Sequence, residues 1–294
     1  MTDQFRPDSW ESYIGQDKLK RTLQLALKGC VERQERLDHI LLNGPPGAGK
    51  TSLAFIIADD IGVDFEETIA PIKPATFRRL ISSHSGILFI DEIHRMSPKE
   101  QETLLPLLED QRFITDYGFI DNPDLTIVAA TTERKKIIKP LWDRFTIKPA
   151  FEAYSDDEMG QIVQSMGRKV GIEIPKDMAL KLGAACAGIP RQAKAMVRMA
   201  QNLGTVSASK ILKELRMTED GLDPSHISYL KTLVNAGGTA GMDVLSSHTD
   251  MSKEVIQDIE KLLVSRQYIE LAKTGRTARP RTYTLMKELK TNGY

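Results

Sequence analysis

Gly44-Pro45-Pro46-Gly47-Ala48-Gly49-Lys50-Thr51 is the stretch that decides the fold. It matches the phosphate-loop pattern GxxxxGK[ST], whose glycines let successive backbone N–H groups curl around phosphate oxygens. The apolar run Ile40-Leu41-Leu42 precedes it, and helical spacing follows from Thr51 to Ile61. The loop therefore lies between a strand and a helix, and the helix N-terminus adds positive potential where phosphates would sit. Lys50 is placed to reach the β- and γ-phosphates, and the Thr51 hydroxyl to ligate Mg²⁺. The expected nucleotide-binding set is Gly44, Pro45, Pro46, Gly47, Ala48, Gly49, Lys50, Thr51 and Ser52, and the expected ligands are ATP and Mg²⁺.

Outward from the loop, Ile87-Leu88-Phe89-Ile90 and Thr126-Ile127-Val128-Ala129-Ala130 read as two more strands. Continuous apolar strands separated by helices predict an α/β unit with a parallel sheet buried on both faces. The second strand ends in Asp91-Glu92, as a Walker B segment does. Asp91 would hold the Mg²⁺ shell and Glu92 would polarise the attacking water, two tasks that need two carboxylates. His94 reads as a structural hydrogen-bonder rather than a base. Thr131-Thr132 ends the third strand, where a hydroxyl can orient water or touch the γ-phosphate.

Two arginines stay open on residues alone. Arg144, in Leu141-Trp142-Asp143-Arg144-Phe145, fits either an arginine finger offered to a neighbouring subunit or a surface salt bridge with Asp143. Arg191, in Gly188-Ile189-Pro190-Arg191, starts a helix and could lean over the γ-phosphate or do nothing more than begin that helix.

From Ser155 the pattern is helical throughout. Ser155 with Glu158 makes a capping box, and further helices are expected at 175–187, 190–203 and 207–215. A polar linker spans 218–224. Three short helices follow, at 225–235, 242–247 and 252–266, then strand candidates at 268–272 and 282–286. That order predicts a helix-turn-helix with a β wing. Between those two strands, Lys273-Thr274-Gly275-Arg276-Thr277-Ala278-Arg279-Pro280-Arg281 holds four basic residues and no acid, so Arg276, Arg279 and Arg281 are candidate DNA-backbone contacts. The expected domains are 1–150, an ATPase large domain; 151–217, a helical lid; and 218–294, a winged helix.

Composition narrows the class without naming a partner. Across 294 residues, 41% are hydrophobic, and 40 Lys plus Arg balance 40 Asp plus Glu, so global charge neither signals disorder nor points to nucleic acid. No run approaches a membrane span, and the first ten residues lack a signal-peptide core. Cys30 and Cys186 stand far apart without CxxC spacing, which disfavours a disulfide or zinc site and suits a reducing cytoplasm.

Arg6-Pro7…Tyr13-Ile14-Gly15-Gln16, Asp38-His39-Ile40-Leu41-Leu42, Phe89-Ile90-Asp91-Glu92-Ile93-His94-Arg95, Ala130-Thr131-Thr132, Asp143-Arg144-Phe145 and Gly188-Ile189-Pro190-Arg191 together resemble the RuvB family. These are AAA+ ATPases that drive Holliday-junction branch migration in bacteria. The resemblance runs from about Phe5 to about Met286. It implies a hexameric ring around duplex DNA, with ATP between subunits. It would make Thr132 the first sensor, Arg144 the finger acting in trans and Arg191 the second sensor. Tyr13 and Ile14 would lie near the adenine, and the basic wing would contact DNA. It also implies a RuvA-like partner docked on a hairpin between Glu109 and Thr126. That segment, Gln111–Gly118, is short here, which argues against the partnership, and Trp142 stands where the family tends to have Arg. Rival readings are a clamp-loader-like ATPase, which usually carries a helical collar instead of a winged helix, and a nucleotide-gated DNA-binding regulator, which has no use for Glu92.

Overall fold

Residues 4–115, 118–122, 124–272 and 275–291 are described in a computed structural model. The first unit runs α1 (Asp17–Arg33), β1 (Ile40–Asn43), α2 (Lys50–Asp60), β2 (Phe65–Ile69), α3 (Pro74–Ser83) and β3 (Gly86–Asp91). It continues through α4 (Pro98–Glu102), α5 (Leu105–Asp110), β4 (Arg112–Thr115), β5 (Gly118–Asp121), β6 (Leu125–Thr131) and α6 (Lys139–Arg144). Four strands form a parallel sheet in the order β1-β6-β3-β2. Successive side chains of a strand alternate faces, so the continuous apolar runs feed two cores. Leu41, Leu88, Ile90, Ile127 and Ala129 meet α3 and α5 on one side. Ile40, Leu42, Phe89, Val128 and Ala130 meet α1 and α2 on the other.

The segment after α5 keeps a hairpin despite its shortness, with β4 and β5 paired antiparallel. Phe113 anchors it edge-on against Phe77, with ring centroids 5.2 Å apart. Ile114 and Phe119 are exposed. Asp116 and Tyr117 lie outside the described residues.

The helical unit comprises α7 (Asp156–Lys169), α8 (Lys176–Ala185), α9 (Pro190–Leu203) and α10 (Ala208–Glu214). The Ser155–Glu158 capping box is formed in both directions. Helices α7 and α8 touch backbone to backbone, and a Cβ on Gly183 would collide with Gly160. Phe5, from the start of the chain, completes this core.

The last unit runs α11 (Pro224–Asn235), β7 (Thr239–Ala240), α12 (Met242–Thr249), α13 (Lys253–Ser265), β8 (Ile269–Ala272), β9 (Gly275–Ala278) and α14 (Pro280–Thr291). Its sheet order is β7-β9-β8. Here one sequence expectation is corrected: 282–286 is helix within α14, and the second wing strand is β9. Pro280 suits the first helical turn, and the buried residues Thr282, Met286 and Leu289 fall at the i, i+4, i+7 spacing of one helix face. Lys273 and Thr274 of the expected wing tip lie outside the described residues. Among the described residues, no helix is long and apolar enough to cross a membrane.

His39, 3% exposed, ties β1 to β6. Its Nδ1 accepts the Ile127 N–H at 2.8 Å, and Arg36 Nη1 stands 3.1 Å from Nε2. Burial and then the Arg36 charge hold its pKa down, at about 3. A free imidazole titrates near 6.5. Because the folded value is depressed, the stabilisation from the neutral ring is complete above pH ~6.5 and is lost as pH falls toward 3. The thermal midpoint of the nucleotide-free protein is expected to drop between pH ~6.5 and ~4. His39→Gln should flatten that drop in calorimetric scans; equal steepness in both proteins would clear His39 of the effect.

Candidate nucleotide-binding site

The loop from Gly44 to Gly49 turns over the C-terminal edge of β1, where parallel sheets place their ligands. Gly47 and Gly49 adopt φ of 74° and 98°, which side chains disfavour. At Gly49 a Cβ would also stand 2.7 Å from Tyr13 Oη. Lys50 is buried, and its Nζ donates to the Gly44 and Pro45 carbonyls at 2.9 Å each. Burial lowers its pKa, while the nearby Glu92 and Asp91 charges act the other way.

The register of β3 against β6 pairs Ile90 with Ala129, which brings Asp91-Glu92 beside Thr131-Thr132. Burial and then the Glu92 charge raise the Asp91 pKa. The Glu92 N–H donates to Asp91 Oδ1 at 2.9 Å. The Glu92 backbone sits at φ 51°, unusual for a residue with a side chain. The Thr132 hydroxyl donates to Glu92 Oε2 at 3.0 Å. His94 Nδ1 lies 3.1 Å from the same oxygen.

A cleft of about 300 Å³ opens between the sheet edge, the lid and the first residues of the chain. Pro46 to Ser52, Asp91, Glu92, Tyr13, Ile14 and Arg191 line it, so the fold gathers most of the sequence candidates. Gly44 and Pro45 hold Lys50 from behind, and Thr132 reaches the cleft through Glu92. Cleft residues beyond the sequence candidates include Tyr154, Met166, Lys169 and Lys194 from the lid and Phe5 and Ser12 from the start of the chain. Tyr154 carried a faint signal, standing one position before the capping box. Its hydroxyl and that of Tyr13 both donate to the Ala48 carbonyl, at 3.2 and 3.3 Å. Burial raises both phenol pKa values, so both hydroxyls stay neutral donors at ordinary pH.

The donor set suits Mg²⁺ carried in by a nucleotide. Among the described residues, no cluster of three or more His, Cys, Asp or Glu could cage a metal. Thr51 and Asp91 at the cleft offer the one or two protein ligands Mg²⁺ takes when phosphates and water supply the rest.

Arg144 is not in its own chain's cleft. It ends α6, where Nη1 donates to the Pro140 carbonyl at 3.0 Å and Nη2 pairs with Glu109 at 2.8 Å. The ion pair is therefore with Glu109, not the neighbouring Asp143. Beside it, Trp142 lies under Arg134 at 4.1 Å, with Lys148 5.5 Å from its ring centroid.

The wing arginines also need correcting. Their own segment contains no acid, but the fold supplies one to each. Arg276 pairs with Glu260 at 2.6 Å, Arg279 with Glu270 at 3.2 Å and Arg281 with Asp220 at 2.8 Å. Arg276 is the most committed, because Glu260 is buried and also accepts the Tyr229 hydroxyl at 2.9 Å.

A phosphate loop, an acid pair at the end of β3, a threonine hydroxyl bonded to that pair and an arginine from the helical unit, gathered at one cleft edge, fit a P-loop ATPase of the AAA+ class, here joined to a winged helix. Residues 5–151 match the family model "Holliday junction DNA helicase RuvB P-loop domain" and residues 219–287 match "RuvB C-terminal winged helix domain". The chain belongs to the RuvB family. It is 34% identical to the Holliday junction branch migration complex subunit RuvB of Helicobacter acinonychis (strain Sheeba), over 96% of this chain and 91% of that one. Against the subunit of Aliarcobacter butzleri (strain RM4018) the identity is 32%, over 96% and 88%. The solved Thermotoga maritima RuvB Holliday junction branch migration motor superposes with a TM-score of 0.82 at 29% identity, covering 97% of this chain and 99% of that one.

Arg276→Ala should destabilise the winged helix by about 3–5 kcal/mol, because it leaves the buried Glu260 carboxylate without its cation. Adding Glu260→Gln should restore part of the loss. Denaturant melts followed by tryptophan-independent circular dichroism check this; an unchanged midpoint would mean the pair carries no stability.

Proposed function

We propose that this chain is an ATP-driven motor subunit that moves Holliday-junction DNA, with Mg²⁺-ATP bound at the cleft between sheet and lid. The observation that carries the reading is the Glu92 carboxylate, fixed by Thr132 at the edge of the cleft that Lys50 and Arg191 also line. A binding module would need the phosphate loop but no oriented base beside it.

In this reading the P-loop amides and Lys50 cradle the phosphates, and Lys50 exchanges its carbonyl partners for phosphate oxygens. Thr51 and Asp91 would hold Mg²⁺, which would supply positive charge against the phosphate oxygens. Glu92 orients the water for in-line attack, and Thr132 keeps that carboxylate from swinging away. Tyr13 and Ile14 wall the cleft on the base side. Arg191, at the N-terminus of α9, reports the γ-phosphate to the lid.

The assembly is a ring, hexameric as in the family, acting in the cytoplasm, and Arg144 acts across an interface. In one subunit it rests on Glu109, with its side chain 27% exposed, so an oncoming nucleotide can take it up. The exposed Ile114 and Phe119 on the β4–β5 hairpin give a RuvA-like protein an apolar docking point that the short sequence segment did not promise. On the wing, Arg279 and Arg281 are partly exposed and remain the DNA-facing candidates, while Arg276 belongs to the core pair.

Steady-state ATPase measurements with and without a synthetic four-way junction test the reading. Hydrolysis that rises with junction DNA is expected. Glu92→Gln should bind ATP normally and lose turnover, because the water-polarising charge goes while the cradle stays; parent-rate turnover would remove Glu92 from the mechanism.

Arg144→Ala is expected to fold, bind nucleotide and fail to hydrolyse. Mixed with Glu92→Gln, it should regain activity at interfaces that pair an intact Glu92 with an intact Arg144. Mixtures no faster than the two inactive proteins alone would exclude a role in trans.

A further inference from the structure

Glu92 is held by more than Thr132. His94 is buried in the short helical turn after β3, and both of its ring nitrogens face carboxylates. Nδ1 lies 3.1 Å from Glu92 Oε2 and 3.2 Å from Thr131 Oγ1. Nε2 lies 3.3 Å from Glu133 Oε1. Glu133 is tied down in turn: its N–H donates to Thr131 Oγ1 at 3.0 Å, and its carboxylate accepts from Lys136 Nζ at 2.9 Å. The Lys136 bond also lowers the Glu133 pKa, which keeps that carboxylate ionised.

An ionised carboxylate only accepts hydrogen bonds, so each carboxylate that His94 serves needs an N–H. A proton on Nδ1 serves Glu92, a proton on Nε2 serves Glu133, and the doubly protonated ring holds both. Thr132 Oγ1 donates to Glu92 Oε2, and His94 Nδ1 stands against that same oxygen, so two side chains flank one edge of the Glu92 carboxylate while Glu92 lines the cleft. A Glu side chain with three rotatable bonds would otherwise sample many directions, and a misplacement of ~1 Å at a reacting group can cost ~10²-fold in rate.

We propose that His94 is a positioning residue for hydrolysis, fixing the direction of the Glu92 carboxylate, with Glu133 as the outer anchor of the ring. The proposal rests on the reading of Glu92 given above. It assigns His94 an effect on turnover and none on nucleotide affinity, because the ring does not line the cleft.

The test compares His94→Ala, His94→Asn and Glu133→Ala in the full chain. Turnover is measured at saturating ATP, affinity with a fluorescent ATP analogue in the absence of turnover, and folding by thermal melting. His94→Ala should lower kcat by about 10–100-fold with ATP affinity unchanged. His94→Asn keeps a donor near the Nδ1 position and should recover part of that loss. Glu133 is half exposed, so Glu133→Ala folds even if His94→Ala does not. Glu133→Ala should slow turnover more mildly and add nothing in the His94→Ala background. Parent-level kcat in His94→Ala overturns the proposal, as does equal slowing by Ala and Asn with Glu133→Ala at the parent rate. Glu92→Gln runs alongside as the control. If that variant turns over normally, the reading of Glu92 has failed; if it is dead while His94→Ala is fast, the role given to His94 alone has failed.

Discussion

Parallel pairing of β3 between β6 and β2 is the constraint on which the site depends. Ile90 opposite Ala129, and Asn43 of β1 opposite Thr131, bring three strand ends to one edge. That edge presents the phosphate loop, the acid pair and Thr131-Thr132 together, although 80 residues of sequence separate Lys50 from the end of β6. A slip by one residue would turn Asp91 toward the opposite face and separate Glu92 from Thr132. The sheet tolerates no slip because both faces are buried, and alternate side chains feed two different cores. Stability and chemistry therefore draw on the same register.

The lid links that edge to the winged helix. Helix α7 carries Met166 and Lys169 against the cleft and Asp156 at its other end. Asp156 takes a two-pronged bond from Arg266, at 3.0 and 3.2 Å, and the same guanidinium donates to the Ala184 carbonyl at 2.8 Å. Planar, forked pairs of this kind hold direction as well as distance. The start of the chain is bound into the same body: Phe5 sits in the lid core, and Lys169 Nζ donates to the Arg6 carbonyl at 2.7 Å. In the proposed motor, a lid shift set by the phosphates would thus carry the winged helix with it.

Chemistry written in consecutive residues was legible in the sequence. Gly44 to Thr51, Asp91-Glu92 and the Ser155–Glu158 box are local patterns whose partners lie within a few positions. What the sequence hid was pairing over distance. Arg144 finds Glu109 across 35 residues and Arg281 finds Asp220 across 61, so arginines that read as unpaired charge have acid partners in the fold. The lid side of the cleft was hidden for the same reason, since Met166 and Lys169 look like ordinary helix residues until α7 is docked. The error at 282–286 has a different origin. Thr, Tyr and Leu there favour a strand locally, but the buried set Thr282, Met286 and Leu289 follows a helical repeat that the wing strand could not satisfy.

The central claim is that ATP turnover at this cleft moves junction DNA. Its most direct measurement is branch migration of a synthetic four-way junction with labelled arms, followed in time with ATP and Mg²⁺ and again with a non-hydrolysable ATP analogue. The account predicts conversion of the junction to separated duplexes with ATP and none with the analogue. A protein that hydrolyses ATP in the presence of the junction yet leaves it in place, or that moves it equally well with the analogue, would contradict it.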